Sequence, residues 1–349
     1  MHNSSKWKDS TTVRFRALRK HLYLFKRRHI LTGSPRPNNY LDLFGQIYLL
    51  DRGAALGAYV THYKNRFFFP TGFEMREWEL VPGMDKEINK LVAPMVLRLD
   101  AANHLKLPNT PPDRIHRVEL PDKARKEYDT VEKKMMSELF GEPLVSPGAK
   151  RSKCSQMANG AVYTTPVDPD ERWQQAMRPY EVVHTAKVEA LVDLFEELQG
   201  EPLLLGIGYR HDVEAIRKAL GKGVPCINGA TSRGQAAEYI DLWNKGKLPL
   251  LLGHPASIGH GLNLQKCNGR HVGFFDIPDS YDLMDQFWRR VWRQGNNASF
   301  VLRHFFAARR TVDDAKLANL RAHGTGQKAF LDAMREYAQS RGYVVKVRR

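Results

Sequence analysis

The sequence has little cysteine and no long apolar run. Its three cysteines, Cys154, Cys226 and Cys267, are widely spaced and odd in number. They indicate neither a disulfide framework nor a zinc site, and are typical of a reducing compartment. No stretch approaches the length of about twenty apolar residues that a membrane-spanning helix needs. The charged N-terminus has no apolar core behind it, which argues against a secretory signal. We therefore expect a cytoplasmic protein.

Acidic residues are also in deficit. The chain of 349 residues has 38 Asp and Glu against 54 Lys and Arg, a net charge of +16, and its isoelectric point is near 9.7. The excess positive charge is spread along segments whose apolar patterns indicate folded structure. A positive field of this kind is typical of proteins that bind the phosphate backbone of nucleic acid, through Coulomb attraction and counterion release. The alternative is a basic protein whose charge serves only solubility.

From about residue 184 the pattern alternates between apolar strands and amphipathic helices. Continuous apolar runs of this kind are typical of a parallel sheet that is covered on both faces. We predict strands at 202–207, 224–227, 248–252, 271–275 and 300–305, with helices at 184–198, 211–220, 232–245 and 281–293. The predicted fold class is therefore α/β, a doubly wound parallel sheet with its ligand loops at the carboxyl ends of the strands.

The first half of the chain is mostly helical in pattern. The spacing of apolar residues predicts helices at 10–28, 54–62, 84–97 and 121–139, with strands at 29–31 and 115–120. Residues 141–165 are rich in Gly, Ser, Lys and Pro and are predicted to be a linker. Three parts follow from these changes: residues 1–75, a helical connector and linker over 76–165, and the α/β domain over 166–349.

One stretch of the α/β domain combines an amide with two guanidiniums. Gln286, Arg290 and Arg293 are spaced i, i+4 and i+7, so a helix over 281–293 would present them on one face. Planar guanidiniums suit an anion with several oxygens, such as the phosphates of a nucleotide. The alternative is a basic surface helix. Trp288 and Trp292 on the same helix are interpreted as packing residues.

A second stretch follows the strand at 248–252 and reads Gly253-His-Pro-Ala-Ser-Ile-Gly-His-Gly-Leu-Asn-Leu-Gln265. Gly259 and Gly261 permit close approach of the backbone to a ligand, and Asn263 and Gln265 offer amide groups. The histidines at 254 and 260 have no further ligands nearby, so no metal site is predicted.

These stretches carry a family resemblance when they are taken in order with Leu31-Thr-Gly-Ser-Pro35. The three resemble motifs III, V and VI of the Swi/Snf-type superfamily-2 helicases, most closely the prokaryotic and phage members. The likeness extends over about residues 3–335. It implies two RecA-like lobes that bind ATP with magnesium in the cleft between them and translocate on duplex DNA. For this chain it implies a complete second lobe, preceded by a mostly helical remnant of the first.

The resemblance also implies roles for single residues. Arg293 and Arg290 would be the motif VI arginines, with Arg293 as the finger on the γ-phosphate, and Gln286 would help to place the nucleotide and the attacking water. The residues that would couple the nucleotide to DNA contact are Gly259, Gly261 and Asn263 on the nucleotide side, and Thr32, Gly33, Ser34, His260 and Gln265 on the nucleic-acid side.

Two motifs of that family are missing from the sequence. The Gly-Lys pairs, Gly221-Lys222 and Gly246-Lys247, lack both the Gly-rich spacing before them and the Ser or Thr after them that a phosphate-binding loop needs. The acidic box that holds magnesium is missing too, and Asn296 replaces a glutamine of motif VI. We therefore expect magnesium to be held by another lobe, on a separate polypeptide, and no ATP hydrolysis by this chain alone. The alternatives are a non-catalytic nucleic-acid-binding module descended from such a motor, or a non-functional gene fragment.

Overall fold

A computed structural model describes residues 9–31, 40–71, 77–97, 105–140, 147–164, 179–258, 261–322, 333–334 and 336–343. The chain divides into two compact units, residues 1–104 (unit 1) and residues 105–349 (unit 2). The domain boundaries predicted at residues 75 and 165 stay predictions. No helix among the described residues is long and apolar enough to cross a membrane.

Unit 1 is mostly helical. Its helices are Val13–Lys20, Leu41–Asp51, Val60–Phe67 and Met84–Val92, with 3-10 turns at Leu22–Leu24 and Ala93–Met95, and its strands are Phe68–Thr71 (β1) and Glu77–Leu80 (β2). The two strands pair antiparallel. Phe44, Tyr63 and Phe67 lie in the middle of a buried aromatic core, with ring centroids of Phe44 and Tyr63 5.4 Å apart.

Three predicted helices of unit 1 have different bounds in the structure, and the one predicted at 84–97 ends at Val92. The helix predicted at 10–28 ends at Lys20, and the one predicted at 54–62 begins only at Val60. A turn after Asp51 delays the second helix, because the Asp51 carboxylate accepts hydrogen bonds of 2.7 Å from the backbone N–H groups of Gly53 and Ala55. The preceding helix is capped by Arg52, which has a left-handed φ of +63°, and Gly53 follows with a φ of +94° that favours glycine.

Unit 2 is built on a parallel sheet. Its strands are Arg114–Val118 (β3), Ala161–Tyr163 (β4), Tyr180–Val182 (β5), Leu203–Gly206 (β6), Cys226–Ile227 (β7), Leu250–Gly253 (β8), His271–Phe274 (β9) and Leu302–Ala308 (β10). Its helices are Asp122–Phe140, Pro147–Asn159, Ala186–Glu197, Arg210–Leu220, Arg233–Asn244, Pro255–Ile258, Tyr281–Trp288 and Val312–Arg321. Within the described residues, six strands pair in the order β3-β10-β9-β6-β8-β7, all parallel, and β4 and β5 form a separate antiparallel pair.

Both faces of the large sheet are buried. In β6, Leu204 belongs to one apolar core, and Leu203 and Leu205 belong to the core on the other face. Successive side chains of a strand point to opposite faces, so helices must cover both sides of this strand. The register places Leu204 opposite Leu251 of β8 and Val272 of β9, all fully buried. The predicted fold class, a doubly wound RecA-like sheet after a helical region, is confirmed.

The linker predicted at 141–165 is wrong for most of its length. Pro147–Asn159 is a helix, and Cys154 and Ala158 on it are fully buried in an apolar core with Tyr128. Its buried face also carries polar side chains, among them Gln156 and Asn159. An apolar stripe is therefore missing from the sequence, and helical periodicity could not reveal this helix.

A chain of hydrogen-bonded histidines crosses three strands of the sheet. Ring nitrogens of His116 on β3 and His304 on β10 lie 3.0 Å apart, and those of His304 and His271 on β9 also lie 3.0 Å apart. Nε2 of His271 lies 2.9 Å from a carboxylate oxygen of Glu201, which also pairs with Arg270. A carboxylate can only accept, so each ring donates from Nε2 towards Glu201, and the rings of His304 and His271 accept at Nδ1. This assigns one tautomer to all three rings.

Candidate functional site

The helix that carries the predicted phosphate-binding residues is shorter than predicted. It ends at Trp288, so Gln286 lies on the helix while Arg290 and Arg293 lie in the turns that follow. The prediction that all three share one helix face is wrong. Nε of Arg290 donates to the carbonyl oxygen of Gln286 at 3.1 Å, and this is the acceptor that the backbone N–H of Arg290 would use in a continued α-helix. That backbone N–H instead bonds to the carbonyl of Phe287.

The structure nevertheless brings two predicted site residues into direct contact. Nη1 of Arg293 donates a hydrogen bond of 2.9 Å to Oδ1 of Asn263. Nearby, Arg290 approaches the carbonyl oxygen of Leu262 at 3.4 Å, and the backbone N–H of Leu264 lies 3.3 Å from the Arg290 carbonyl. The segments before and after β9 therefore lie side by side, with the amide of Asn263 next to the two arginines.

The three arginines of this turn have different electrostatic surroundings. Arg289 is paired with the carboxylate of Asp285 at 2.7 Å. Arg293 is exposed, and no carboxylate among the described residues pairs with it; its partner is the neutral amide of Asn263. Burial lowers the pKa of Arg290, and the nearby positive charge of Arg293 lowers it further. Arg290 and Arg293 are thus two positive charges close together, and no acid among the described residues neutralises Arg293. Such a pair favours binding of an anion.

The tryptophans of this segment pack, as predicted. The rings of Trp288 and Trp292 are stacked with centroids 4.5 Å apart, and both contact the apolar core. The indole N–H of Trp292 donates to the carbonyl of Pro108 at 2.8 Å. The guanidinium of Arg289 lies over the Trp292 ring at 5.1 Å. These contacts fix the turn that carries Arg290 and Arg293.

The Gly-rich stretch before β9 is only partly described. Gly261 has a φ of +78°, a left-handed conformation that favours glycine, and nothing lies within 4 Å of the position that a Cβ would take. Oε1 of Gln265 is buried and has no hydrogen-bond partner among the described residues. Gly259 and His260 lie outside the described residues, as do Thr32, Gly33 and Ser34 of the unit 1 motif.

Sequence comparison assigns the part of unit 2 that holds this geometry. Residues 186–295 match the helicase conserved C-terminal domain. Unit 2 contains a helicase C-terminal domain. The matched residues include both segments beside β9, and the match ends at the glycine that closes the arginine turn. The helicase carboxyl-terminal region predicted from the motifs is confirmed.

Relatives and solved structures resemble a longer part of the chain. Protein p41 of Acyrthosiphon pisum secondary endosymbiont phage 1 is 31% identical over 315 residues, which are 87% of this chain and 64% of that protein. The chain thus spans less than two thirds of that relative's length. The SWI2/SNF2 ATPase core of Sulfolobus solfataricus in complex with dsDNA aligns with 99% of this chain and 72% of its own, at 19% identity and a TM-score of 0.47. The C-terminal part of the Fun30 ATPase domain aligns with 68% of this chain and 100% of its own, at 13% identity and a TM-score of 0.45.

Unit 2 also contains a buried polar cluster that sequence reasoning missed. Nζ of Lys187 lies 2.7 Å from Oδ2 of Asp313, 2.8 Å from Oδ1 of Asn159 and 3.2 Å from the carbonyl oxygen of Phe275. The side chains of Lys187 and Asp313 are both fully buried. One signal was available, because Lys187 is four residues before Leu191 and so shares the inward stripe of its helix. Asn159 had no signal, since it lies in the predicted linker.

The donors of the candidate site suit an oxyanion. Exposed guanidinium N–H groups at Arg293, beside a second guanidinium at Arg290, match phosphate oxygens in charge and geometry. Within the described part of the chain, no group of three or more His, Cys, Asp or Glu side chains is arranged to hold a metal ion. The arrangement can therefore bind phosphate oxygens and orient them, and it offers no set of metal ligands.

Proposed function

We propose that this chain supplies the second-lobe half of the ATP site of a Swi/Snf-type DNA translocase. In this proposal Arg293 and Arg290 contact the phosphates of ATP, and Arg293 acts as the arginine finger. The phosphate-binding loop and the carboxylates that hold magnesium come from a first lobe on another polypeptide. The chain by itself does not hydrolyse ATP.

One observation carries this proposal: Arg293 is exposed, has no carboxylate partner among the described residues, and is held by the neutral amide of Asn263. A basic residue that only keeps the surface soluble is stabilised by a nearby acid, as Arg289 is by Asp285. A guanidinium that must bind an incoming phosphate is better held by an amide, because the amide fixes its direction and leaves its charge available.

The residues present fit ATP in part. Guanidiniums and the amide of Gln286 suit the phosphates, and ATP would bring the negative charge that compensates Arg290 and Arg293. Magnesium would neutralise negative charge on the phosphates, and its protein ligands would belong to the other lobe. What this chain contributes is the placement of two positive groups against the phosphates.

We propose that the protein binds duplex DNA and moves along it. The net charge of +16 supports contact with a phosphate backbone, which needs no particular base sequence. The amide of Gln265 lies in the stretch that the resemblance assigns to coupling between nucleotide and DNA, and its buried oxygen has no partner among the residues described. We expect binding that tolerates any sequence and weakens steeply with salt.

The deciding experiment measures DNA-stimulated ATP hydrolysis in three samples: the purified chain, a first lobe carrying the phosphate-binding loop and acidic box, and both together. We expect activity only in the mixture. The first lobe is taken from a Swi/Snf-type translocase whose sequence carries both of these motifs. Robust hydrolysis by the purified chain alone would overturn the proposal of a divided site.

A matched variant tests the role of the arginine within that mixture. Arg293→Ala should abolish the activity of the mixture and leave the association of the two polypeptides unchanged. Arg289→Ala is the control, since Arg289 is neutralised by Asp285. Loss of activity in both variants alike would mean that the turn is only structural, and unchanged activity in Arg293→Ala would refute the finger.

A further inference from the structure

The first helix of unit 1 and the turn after it form a surface without acidic neighbours in sequence. No acidic residue occurs between Asp9 and Asp42. Seven basic residues of this stretch are described, and all but the last are exposed: Arg14, Arg16, Arg19, Lys20, Lys26, Arg27 and Arg28. Five of them form no ion pair within the described part of the chain: Arg14, Arg16, Lys20, Lys26 and Arg27. We call residues 13–28 the basic surface.

The backbone beneath this surface is firmly held. Thr12 caps the helix by accepting a hydrogen bond of 3.3 Å from the N–H of Phe15. Phe15 and Leu22 are buried in the core of unit 1. Arg19 donates to the hydroxyl of Tyr48 at 2.9 Å and lies over its ring. The outward side chains therefore project from a fixed base, which limits the ordering that a ligand must impose.

Exposed aromatic residues follow directly after this helix in the sequence. Tyr23, Leu24 and Phe25 are consecutive, and their exposed fractions are 68%, 62% and 46%. Three neighbouring apolar side chains at this exposure, next to Lys20 and Lys26, make an uncommon combination for a solvated face. Flat rings among cations are the arrangement by which proteins hold nucleic acid whose bases are unstacked, because bases stack on the rings and phosphates contact the cations.

We propose that the basic surface binds single-stranded nucleic acid. Tyr23 and Phe25 stack on unpaired bases, while Arg14, Arg16 and Lys20 contact the phosphates. Duplex DNA fits less well, since its bases are already stacked on each other and offer no free face to the rings. An acidic protein segment would satisfy the cations but would not need planar side chains. The basic surface belongs to unit 1 and the arginines proposed to contact ATP belong to unit 2, so this proposal does not depend on ATP hydrolysis.

The test measures binding of a fluorescent thymidine oligonucleotide and of a closed duplex hairpin by anisotropy. Tyr23→Ala/Phe25→Ala should raise the Kd for the oligonucleotide at least about fivefold, from the lost stacking. Binding of the duplex should stay unchanged. Tyr23→Phe/Phe25→Tyr should bind like the original chain, since both rings are kept. Leu24→Ala is the matched control, because Leu24 is equally exposed and has no aromatic face.

A second arm tests the phosphate contacts. Arg14→Gln, Arg16→Gln and Lys20→Gln should each reduce the slope of log K against log salt by about 0.7 with the oligonucleotide. The proposal is overturned if the aromatic double variant binds the oligonucleotide normally, or if Leu24→Ala weakens binding as much as that variant does. The second result would identify an apolar protein-docking face. Failure of the original chain to bind the duplex would count against the proposed translocase and not against this surface.

Discussion

Oδ1 of Asn263 accepts a hydrogen bond of 2.9 Å from Nη1 of Arg293. The amide holds the guanidinium from one side and leaves its remaining N–H groups to other acceptors. In the proposed site, Asn263 would therefore position Arg293. This sharpens the sequence-based assignment, which gave Asn263 a general role in coupling.

The first prediction follows from that relationship. In the mixture with a first lobe, Arg293→Ala should lower kcat by about 10³-fold or more, as for other arginine fingers. Asn263→Ala should lower it by a smaller factor. The double variant should be no slower than Arg293→Ala, because Asn263 acts only through Arg293. Steady-state ATPase assays measure all three. An additive double variant would show that Asn263 contacts the substrate independently.

The buried pair of Lys187 and Asp313 gives a second prediction. Removing one partner leaves the other charged and buried, which costs about 3–5 kcal/mol of unfolding free energy. We expect Lys187→Met to show that loss in urea denaturation. Lys187→Met/Asp313→Leu should recover most of it, since no lone charge then remains. Both side chains are fully buried, so solvent does not screen the pair.

A surface pair provides the control for this prediction. Lys245 and Asp241 are 2.6 Å apart and more than half exposed, at i and i+4 on one helix. Lys245→Met should cost only about 0.3–0.5 kcal/mol. Equal losses in Lys187→Met and Lys245→Met would contradict the account of Lys187 as a buried charge that needs its partner.

The sequence predicted helices and strands correctly where apolar residues form continuous runs or periodic patterns. Leu203–Gly206 and Leu250–Gly253 were predictable because buried parallel strands are continuous apolar runs. Helix Pro147–Asn159 was not, because its buried face is partly polar. The end of the arginine helix at Trp288 was not predictable either, since it depends on a side chain taking the next backbone acceptor. Contacts between residues far apart in the chain, such as Asn159 with Lys187, produce no periodic pattern in the sequence.

The chain of three histidines predicts that unit 2 loses stability as the pH falls. Burial, together with the neighbouring His271 and His116, lowers the pKa of His304 to about 3. Burial also lowers the pKa of His116 and of His271, although Glu197 and Glu201 oppose this. The unfolded chain then binds more protons than the folded one below pH 6.5, the ordinary histidine value. The stability is present above that pH and is lost as the pH falls towards about 3.

Two measurements check this pH dependence. Thermal melts between pH 7 and pH 4 should show a falling Tm, and His304→Gln, which does not titrate, should flatten that slope. Nitrogen-15 NMR of the imidazole rings should show a proton on Nε2 and none on Nδ1 in all three histidines at pH 7. A His304 ring that titrates near its ordinary value in the folded chain would contradict the buried hydrogen-bonded chain.

The buried oxygen of Gln265, which has no hydrogen-bond partner in the part of the chain that the structure describes, gives the last prediction. A buried acceptor without a partner costs about 1–3 kcal/mol of desolvation, so replacing it with an apolar group of similar shape should not destabilise the protein. We expect Gln265→Met to keep or raise the Tm and to weaken DNA-stimulated hydrolysis in the mixture, if that oxygen serves the coupling role. Gln294→Met is the control, because Gln294 is exposed on the arginine turn. A lower Tm in Gln265→Met than in Gln294→Met would show that the oxygen stabilises the fold. Unchanged hydrolysis with an unchanged Tm would remove Gln265 from the coupling residues.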